Sequence, residues 1–335
     1  MATDGESQLS EINAWLVRLT GGPVAIAGYE ILQGGISGST VYRLAGGAAP
    51  LILKITGRDA PDHVRARAHR EVAFYRTLAP AIPLALPRVL ALAAGDTGGS
   101  AVLLAAYRPP DPPAAWNTSR YLAVAAQLAR LHGAFWNRTD RLASLTWLRH
   151  PPVGDDPARM QQAQAAWRAL QSRPRFAAIL TRPVLAGITR LLDYIPALTA
   201  AIQALPATLC HGDCHTGNLL SDASGRLIWA DWQEVGIGPG PDDLAFFVQR
   251  ALMAGGAVPE EPMIARYCEE LAAQTGLPIA PAIIRRALAA AELRTRLLDW
   301  PDYLGDAAPD QMNAMVRRMD QLAVRLKGSI PQSQV

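Results

Sequence analysis

The stretch that decides the fold is Leu209-Cys210-His211-Gly212-Asp213-Cys214-His215-Thr216-Gly217-Asn218, which is followed by Leu227-Ile228-Trp229-Ala230-Asp231-Trp232. Asn218 stands five positions after Asp213, and Asp231 stands eighteen positions after Asp213, at the end of an apolar run. A catalytic acid, an amide and a second acid behind a strand form the layout of a kinase phosphoryl-transfer centre. Asp213 is therefore the candidate catalytic base, while Asn218 and Asp231 offer the oxygen donors that Mg²⁺ prefers.

Two other interpretations of this stretch stay open. The same residues fit a tight loop closed by Asx turns, without any chemistry. His211, Cys214 and His215 are good zinc ligands, although their spacing is tight for a closed zinc site and no second ligand pair stands nearby. We expect His211 to hold the loop through backbone hydrogen bonds, whereas His215 either packs under the loop or lies near the substrate.

A glycine-rich loop in the first part of the chain is a candidate phosphate-binding element. Gly34, Gly35, Ser37 and Gly38 stand between two predicted strands. Glycine lets backbone amides approach a phosphate, and serine adds a hydroxyl donor. A flexible hairpin turn is the alternative, because Gln33 occupies the position where a G-x-G-x-x-G motif would begin.

A lysine and a glutamate follow this loop in the order that a kinase requires. Lys54 interrupts the apolar segment 51–56, and a lysine there is costly unless its ammonium group has a partner. Glu71 lies seventeen residues later in a predicted helix, on the apolar face that Val64, Ala68, Val72 and Tyr75 define. We expect Glu71 to pair with Lys54 and to hold it toward the phosphates. An edge-strand lysine and a solvated glutamate are the alternatives.

The apolar periodicity predicts an α+β protein with two lobes. Residues 1–107 are predicted to form a nucleotide-binding N-lobe with an antiparallel sheet and a helix, and residues 108–335 a mostly helical C-lobe that carries the catalytic loop, the metal site and the substrate-binding region. The proline-rich segment 108–113 is the predicted connector. Predicted strands span 29–33, 40–44, 51–56, 87–94 and 101–107. Predicted helices span 8–19, 64–78, 118–136, 156–172, 176–181, 184–204, 242–254, 260–275, 281–299 and 309–327, and Asp242 or Asp243 is expected to cap the one near 242.

Composition excludes several functional classes. The chain has 335 residues, half of them apolar, and a formal net charge of +3, which is too small to indicate nucleic acid or a membrane surface. Three cysteines give no disulfide framework, and the acidic N-terminus does not resemble a signal peptide. No apolar run approaches the length of a membrane span. We therefore expect a cytoplasmic protein without a nucleic-acid, membrane or protein partner.

With these residues in hand, the chain resembles the aminoglycoside phosphotransferase and choline kinase-like family. Residues 211–218 follow its H-G-D-x-H-x-x-N signature, residues 228–232 stand at its metal-binding Asp, and Asp243-Leu244-Ala245 matches its D-L-A helix start. Segments 71–75 and 128–132 look like helix patterns of the family. The resemblance implies a bilobal protein-kinase-like fold and phosphorylation of a small-molecule hydroxyl with ATP, or sometimes GTP, and Mg²⁺. It also implies that Asp243 braces the catalytic loop.

The sequence departs from protein kinases at informative positions. His211-Gly212-Asp213 replaces His-Arg-Asp, and Asp231-Trp232-Gln233 replaces Asp-Phe-Gly. Only eleven residues separate Asp231 from Asp243, which leaves no room for a long activation loop. A protein substrate is therefore disfavoured, and a small hydroxyl-bearing molecule such as an antibiotic, an amino alcohol or a sugar is expected.

Several residues near the C-terminal end of the chain are candidates for binding the acceptor. Glu292, Asp299, Asp302 and Asp306 are candidate carboxylates for a cationic acceptor, but arginines neighbour them, and Glu292 is also placed to pair with Arg296 across one helical turn. Trp300 and Tyr303 either stack on a cation or sugar, or are buried in the helical lobe. A catalytically inactive nucleotide-binding module on the same fold is the alternative function, and four intact residues argue against it: Lys54, Asp213, Asn218 and Asp231.

Overall fold

The structure, a computed structural model, describes residues 4–32, 38–47, 49–95, 99–138, 140–150 and 157–326. The chain divides into two compact units. The first comprises Met1–Pro110, Leu145–Arg149 and Gly217–Val235, and the second comprises Asp111–Ser144, His150–Thr216 and Gly236–Val335. Asn218 and Asp231, which sequence order assigned to the C-lobe, thus group with the first unit. The lobe boundary between residues 107 and 108 stays a prediction.

The first unit is built on an antiparallel five-stranded sheet with the strand order β1-β2-β3-β5-β4. Its strands are β1 (Gly28–Ile31), β2 (Thr40–Ala45), β3 (Leu51–Thr56), β4 (Val89–Gly95) and β5 (Gly99–Ala105), and its helices are α1 (Asp4–Thr20) and α2 (Asp62–Thr77). Side chains alternate between the two faces of a strand. Leu53 and Ile55 of β3 pack in one core with Ile12 and Leu16 of α1. Lys54 therefore points to the opposite face, where α2 supplies Glu71.

A short hairpin completes the first unit. Strand β7 (Leu219–Ser221) pairs antiparallel with β8 (Leu227–Trp229). The backbone N–H of Trp229 donates to the carbonyl of Ala85 at 2.8 Å, and a bridge between Arg108 and Ser221 adds a second attachment. These bonds fix the hairpin, and with it the residues that flank its two strands.

The second unit is mostly helical, as its long runs with helical periodicity predicted. A two-stranded ladder interrupts the helices, in which β6 (Ala207–Cys210) pairs antiparallel with β9 (Gly236–Pro239). The helices are α3 (Thr118–Phe135), α4 (Asp140–Ala143), α5 (Pro157–Gln171), α6 (Arg182–Leu192), α7 (Ile195–Gln203), α8 (Pro241–Met253), α9 (Glu260–Thr275), α10 (Pro281–Leu298) and α11 (Pro309–Leu326). Among the described residues, no single helix is long and apolar enough to cross a membrane, although α6 and α7, bent by 44°, meet that test as a pair.

Three local predictions were wrong. The helix predicted over 184–204 is broken into α6 and α7, because Pro196 has no N–H with which to continue the helical bonds. The helix predicted over 176–181 is a single 3₁₀ turn, Pro174–Phe176. Neither Asp242 nor Asp243 caps α8: Gly240 is the N-cap, and the two acids lie in the first turn, where they still interact favourably with the helix dipole.

Candidate active site

Lys54 lies at the centre of a buried charge cluster in the first unit. Its Nζ is 2.8 Å from Glu71 Oε2 and 2.8 Å from Asp231 Oδ1. It also donates to Gln233 Oε1 at 3.3 Å. Burial by itself lowers the pKa of Lys54, but the charges of Glu71 and Asp231 outweigh it and raise that pKa above its usual value. The lysine is therefore held in its charged form between two carboxylates.

Glu71 is buried, with only 2% of its surface exposed. Its carboxylate accepts a hydrogen bond from the backbone N–H of Trp232 in addition to its contact with Lys54. Burial raises the pKa of Glu71, while the charge of Lys54 opposes the shift. The pair that the strand and helix patterns predicted is thus brought together, and Glu71 also contacts the segment that follows Asp231.

Asp231 stands in a backbone conformation that few residues with a side chain adopt. Its φ is 62°, in the left-handed region, where aspartate is among the more tolerated residues. Trp232 follows, and its ring stacks on Phe74 of α2 with centroids 4.2 Å apart and planes 6° apart. Its Nε1 donates to the carbonyl of Trp229 at 3.0 Å. Packing and hydrogen bonding on Trp232 therefore hold the turn in which Asp231 lies.

The hairpin brings the two predicted metal ligands to one end. Asn218 precedes β7 and Asp231 follows β8, and Leu219 pairs with Trp229 in the register of the two strands. The N–H of Ala230 donates to the backbone carbonyl of Asn218 at 2.9 Å. The side-chain amide and the carboxylate are both hard oxygen donors. This donor set fits Mg²⁺.

Asp243 holds the backbone of the loop that carries Asp213, in the second unit. Its Oδ2 accepts from the N–H of His211 at 2.7 Å, and its Oδ1 accepts from the N–H of Gly212 at 2.9 Å. His132 Nε2 lies 3.2 Å from Oδ2. Burial raises the pKa of Asp243, but the hydrogen bond and charge of His132, the charge of His211 and the Gly212 amide together lower it below its usual value. The carboxylate thus stays ionised inside the protein.

The loop itself is shaped by Gly212 and His211. Gly212 has a φ of 83°, in the left-handed region that favours glycine, so the sequence His-Gly-Asp meets a backbone requirement. His211 is fully buried, and its Nδ1 accepts from the N–H of Asp213 at 3.3 Å. The Asp213 side chain is 26% exposed, and His215 Nε2 lies 3.8 Å from its Oδ2. Asp213 is therefore the accessible acid of a loop whose backbone is fixed.

Comparison with known protein families identifies the family of this chain. A sequence model of the phosphotransferase enzyme family matches residues 28–278. The chain belongs to this family. It is a small-molecule phosphotransferase, and the resemblance that its signature residues suggested is confirmed. No curated protein sequence is significantly similar to the chain.

Solved structures of low sequence identity share the fold of this phosphotransferase. One is the GDP complex of an aminoglycoside 2′-phosphotransferase-IIIa mutant, with a TM-score of 0.64 at 12% identity over 97% of this chain and 99% of the other. A second is a microcompartment-associated aminopropanol kinase, with a TM-score of 0.60 at 15% identity over 96% and 98%. A third is a choline/ethanolamine kinase family protein from Mesorhizobium loti, with a TM-score of 0.54 at 19% identity over 97% and 96%. The predicted protein-kinase-like α+β fold is thereby confirmed.

The glycine-rich loop of the phosphotransferase is described only at its end. Gly34, Gly35 and Ser37 lie outside the described residues. Gly38 has a φ of 75°, and a Cβ placed on it would lie 2.9 Å from Val64 Cγ2 in α2. Glycine is therefore needed there both for its backbone conformation and for the space beside α2.

The acidic residues considered for a cationic acceptor are paired with arginines. Arg159 contacts Asp299 and Asp302 at 3.2 and 2.9 Å, and Arg175 contacts Asp306 at 3.4 Å. Glu292 is fully buried between Arg296 and Arg318, so the pairing across one helical turn is the arrangement that the structure has. Trp300 is buried, and its Nε1 donates to Gln249 Oε1 at 2.6 Å, whereas Tyr303 is 62% exposed. These residues do not form a patch of unpaired negative charge.

Sequence patterns missed two residues that support the Asp213 loop. His132 Nδ1 lies 2.8 Å from the hydroxyl oxygen of Tyr267, and both side chains are fully buried. His132 belongs to the segment 128–132, which looks like a helix pattern of the family, but no local signal connects His132 or Tyr267 to Asp243. Among the described residues, one group of side chains could hold a metal ion: His132, Cys210 and Asp243, whose ligand atoms lie within 4.8 Å of one another. The zinc interpretation named a different set: His211, Cys214 and His215.

Proposed function

We propose that this phosphotransferase moves the γ-phosphoryl group of ATP to a hydroxyl group of a small molecule, with Asp213 as the base and with Asn218 and Asp231 as the Mg²⁺ ligands. The observation that carries the proposal is the position of Lys54, held charged by Glu71 and Asp231 at 2.8 Å each. A buried ammonium group beside a carboxylate that can hold a metal ion is suited to bind phosphate oxygens. An inactive nucleotide-binding module would not require Asp213 in addition.

Each side chain has one task in the proposed reaction. Asp213 orients the acceptor hydroxyl and takes its proton while the new oxygen–phosphorus bond forms. The bond from the γ-phosphorus to the bridging oxygen breaks, and ADP leaves with that electron pair. Lys54 neutralises charge on the phosphates, and Glu71 keeps Lys54 in place. Gly38 ends a loop whose backbone amides are suited to contact phosphate oxygens.

Mg²⁺ fits the donor set of Asn218 and Asp231, since both offer hard oxygen atoms and the hairpin places them at one end. When bound, the ion would neutralise charge on the phosphate oxygens. The contacts of Trp232 with Phe74 and with the Trp229 carbonyl hold the turn in which Asp231 lies. GTP is the alternative phosphoryl donor, because a structural relative was solved with GDP while another, a spectinomycin phosphotransferase, was solved with ADP.

The charges around the candidate acceptor-binding carboxylates favour one class of acceptor. Relatives of the same fold include enzymes for aminoglycosides and for aminopropanol. An aminoglycoside carries several ammonium groups and calls for several available carboxylates. Four candidates, however, already face arginines: Glu292, Asp299, Asp302 and Asp306. We therefore place an amino alcohol or a sugar-like alcohol ahead of a polycationic antibiotic.

A screen of ATP consumption tests the proposal. Purified enzyme is incubated with Mg·ATP, or Mg·GTP, and with amino alcohols, choline-like amines, sugars, macrolides and aminoglycosides, and the product is identified by mass spectrometry. Asp213→Asn is the matched control, because it keeps the size of the side chain and removes its charge. Phosphorylated product from the wild type and none from the variant is expected. ATP binding without product from any acceptor class would favour the inactive module.

A further inference from the structure

One face of α2 contacts three consecutive residues that follow Asp231. Four residues spaced at helical intervals, i, i+3, i+4 and i+7, form what we call the clamp face, and all belong to the first unit: Arg67, Arg70, Glu71 and Phe74. We infer that Arg70 and Glu234 are positioning residues of the phosphotransferase reaction, which fix the turn of Asp231 against α2. The inference rests on the proposed function for its catalytic consequence, but the clamp itself is testable without any substrate.

The contacts run along the turn residue by residue. The N–H of Trp232 donates to Glu71, and the Trp232 ring stacks on Phe74. Gln233 is held at both ends: its backbone carbonyl accepts from Arg70 Nη1 at 2.6 Å, and its side chain accepts from Lys54. The turn is thus bound to the helix by backbone and side chain together.

Glu234 completes the series with an arginine cluster. Its carboxylate pairs with Arg67 and lies 3.8 Å from Arg70 Nη1 and 4.0 Å from Arg149 Nε. The three guanidinium groups share this single carboxylate, which is 15% exposed. Glu234 therefore offsets the repulsion between arginines that lie on two separate segments of the first unit, α2 and the stretch around residue 149.

Arg70 does more than balance charge. Its Nε donates to the carbonyl of Trp147 at 3.1 Å, while its Nη1 donates to Gln233. Two nitrogens of one guanidinium group thus link two backbone carbonyls to α2. A lysine at this position has a single ammonium group and cannot replace both hydrogen bonds. The side chain is only 15% exposed, so these bonds are shielded from competing water.

The clamp face affects Asp231, the proposed Mg²⁺ ligand. The φ of Asp231 is strained for a residue with a side chain, and such a conformation persists only where the surroundings over-determine it. The clamp supplies those constraints on the residues directly after Asp231. Without Arg70 or Glu234, the Asp231 turn should open more often, and the affinity that depends on Mg²⁺ should fall.

Hydrogen exchange of the Trp232 amide is the direct test, because this N–H donates to Glu71. We compare the wild type with Arg70→Ala, Arg70→Lys and Glu234→Gln by mass spectrometry of peptides that cover residues 228–235. Arg76→Ala is the matched control, since Arg76 is an exposed arginine in the last turn of the same helix. Exchange in this peptide should rise about tenfold in Arg70→Ala and less in Arg70→Lys, and it should be unchanged in Arg76→Ala.

Calorimetry with ATP provides the second readout, which a purely structural role would not move. The ratio of affinities with and without Mg²⁺ should fall in Arg70→Lys and Glu234→Gln, measured at a temperature at which circular dichroism shows each variant to be folded. Exchange and affinity ratios equal to those of Arg76→Ala would overturn the inference. Faster exchange in an enzyme that phosphorylates no acceptor would uphold the clamp and refute the proposed function, so the two failures are distinguishable.

Discussion

Lys54 of β3 and Glu71 of α2 form a buried ion pair, with Nζ 2.8 Å from Oε2. Their side chains are 11% and 3% exposed, so neither charge has enough water to stand alone. Loss of one partner from such a pair leaves an uncompensated charge, which costs more than the pair itself contributes. The pair therefore ties the position of α2 to that of the sheet.

The first prediction tests whether the two residues act through one contact. Lys54→Ala should lower kcat about a hundredfold to a thousandfold, as expected for loss of one preorganised electrostatic group. Glu71→Ala should lower it less, because Lys54 remains but is no longer held. The double variant should lose less than the product of the two single effects. Multiplicative losses, measured on an acceptor from the screen, would mean that Glu71 does not act through Lys54.

The second prediction concerns Asn218 and Asp231, the proposed Mg²⁺ ligands. Asp231→Ala should weaken ATP binding in Mg²⁺ by at least about tenfold, equivalent to about 1.4 kcal/mol, and should remove the difference between titrations with and without Mg²⁺. Asn218→Ala should weaken it less, since a neutral amide contributes less charge. Isothermal calorimetry with and without Mg²⁺ is the measurement. A variant of Asp231 that keeps its full Mg²⁺ dependence is incompatible with its role as a ligand.

The Lys54–Glu71 pair was predictable because each residue carries a local signal. Lys54 is a charged residue inside an apolar strand, and Glu71 lies on the apolar face of a predicted helix. Each charge therefore accounts for the burial of the other. Both signals come from short stretches of chain. The alternation of a strand and the period of a helix remain recognisable when the predicted ends of the element are slightly misplaced. The hypothesis for Asp213, Asn218 and Asp231 also came from a local signal, which is the order and spacing of these residues in the sequence.

The remaining contacts of the site depend on tertiary packing. Arg70 donates to two backbone carbonyls, and any residue type offers a carbonyl, so no sequence pattern marks its partners. His132 and Asp243 are 111 positions apart in the chain, with no periodicity to relate them. The pairing of Glu292 with Arg296 across one helical turn was among the sequence-based interpretations, but the second partner of Glu292, Arg318, lies on a different helix. Such pairings are fixed by which helices pack together.

The third prediction concerns the proposed base. Asp213→Asn should leave thermal unfolding and Mg·ATP affinity close to those of the wild type, because the Asp213 side chain is 26% exposed and the loop backbone is held by Asp243. The rate of phosphoryl transfer should fall about a hundredfold to ten-thousandfold, the usual contribution of a general base. Single-turnover measurements separate this step from binding. Transfer within tenfold of the wild type would contradict the assignment.

The last prediction follows from the ionised state of Asp243. Its pKa in the folded protein lies below the usual value, because His132, His211 and the Gly212 amide outweigh the effect of burial. A depressed pKa contributes stability that is fully present above the unfolded pKa of about 3.9, and that is lost as the pH falls through the folded value. The wild type should therefore lose free energy of unfolding in acid more steeply than a variant that lacks this carboxylate.

Asp243→Asn is that variant, and urea unfolding at a series of pH values is the measurement. At pH 7 the variant should be less stable by about 3 kcal/mol, because His132 loses its charged partner and two backbone amides lose a strong acceptor. This difference should shrink below about pH 4. Asp310→Asn is the matched control, an exposed aspartate in the first turn of α11, and its small difference from the wild type should show no comparable decrease. A constant deficit for Asp243→Asn across the acid range would mean that Asp243 binds its proton equally well in the folded and unfolded protein.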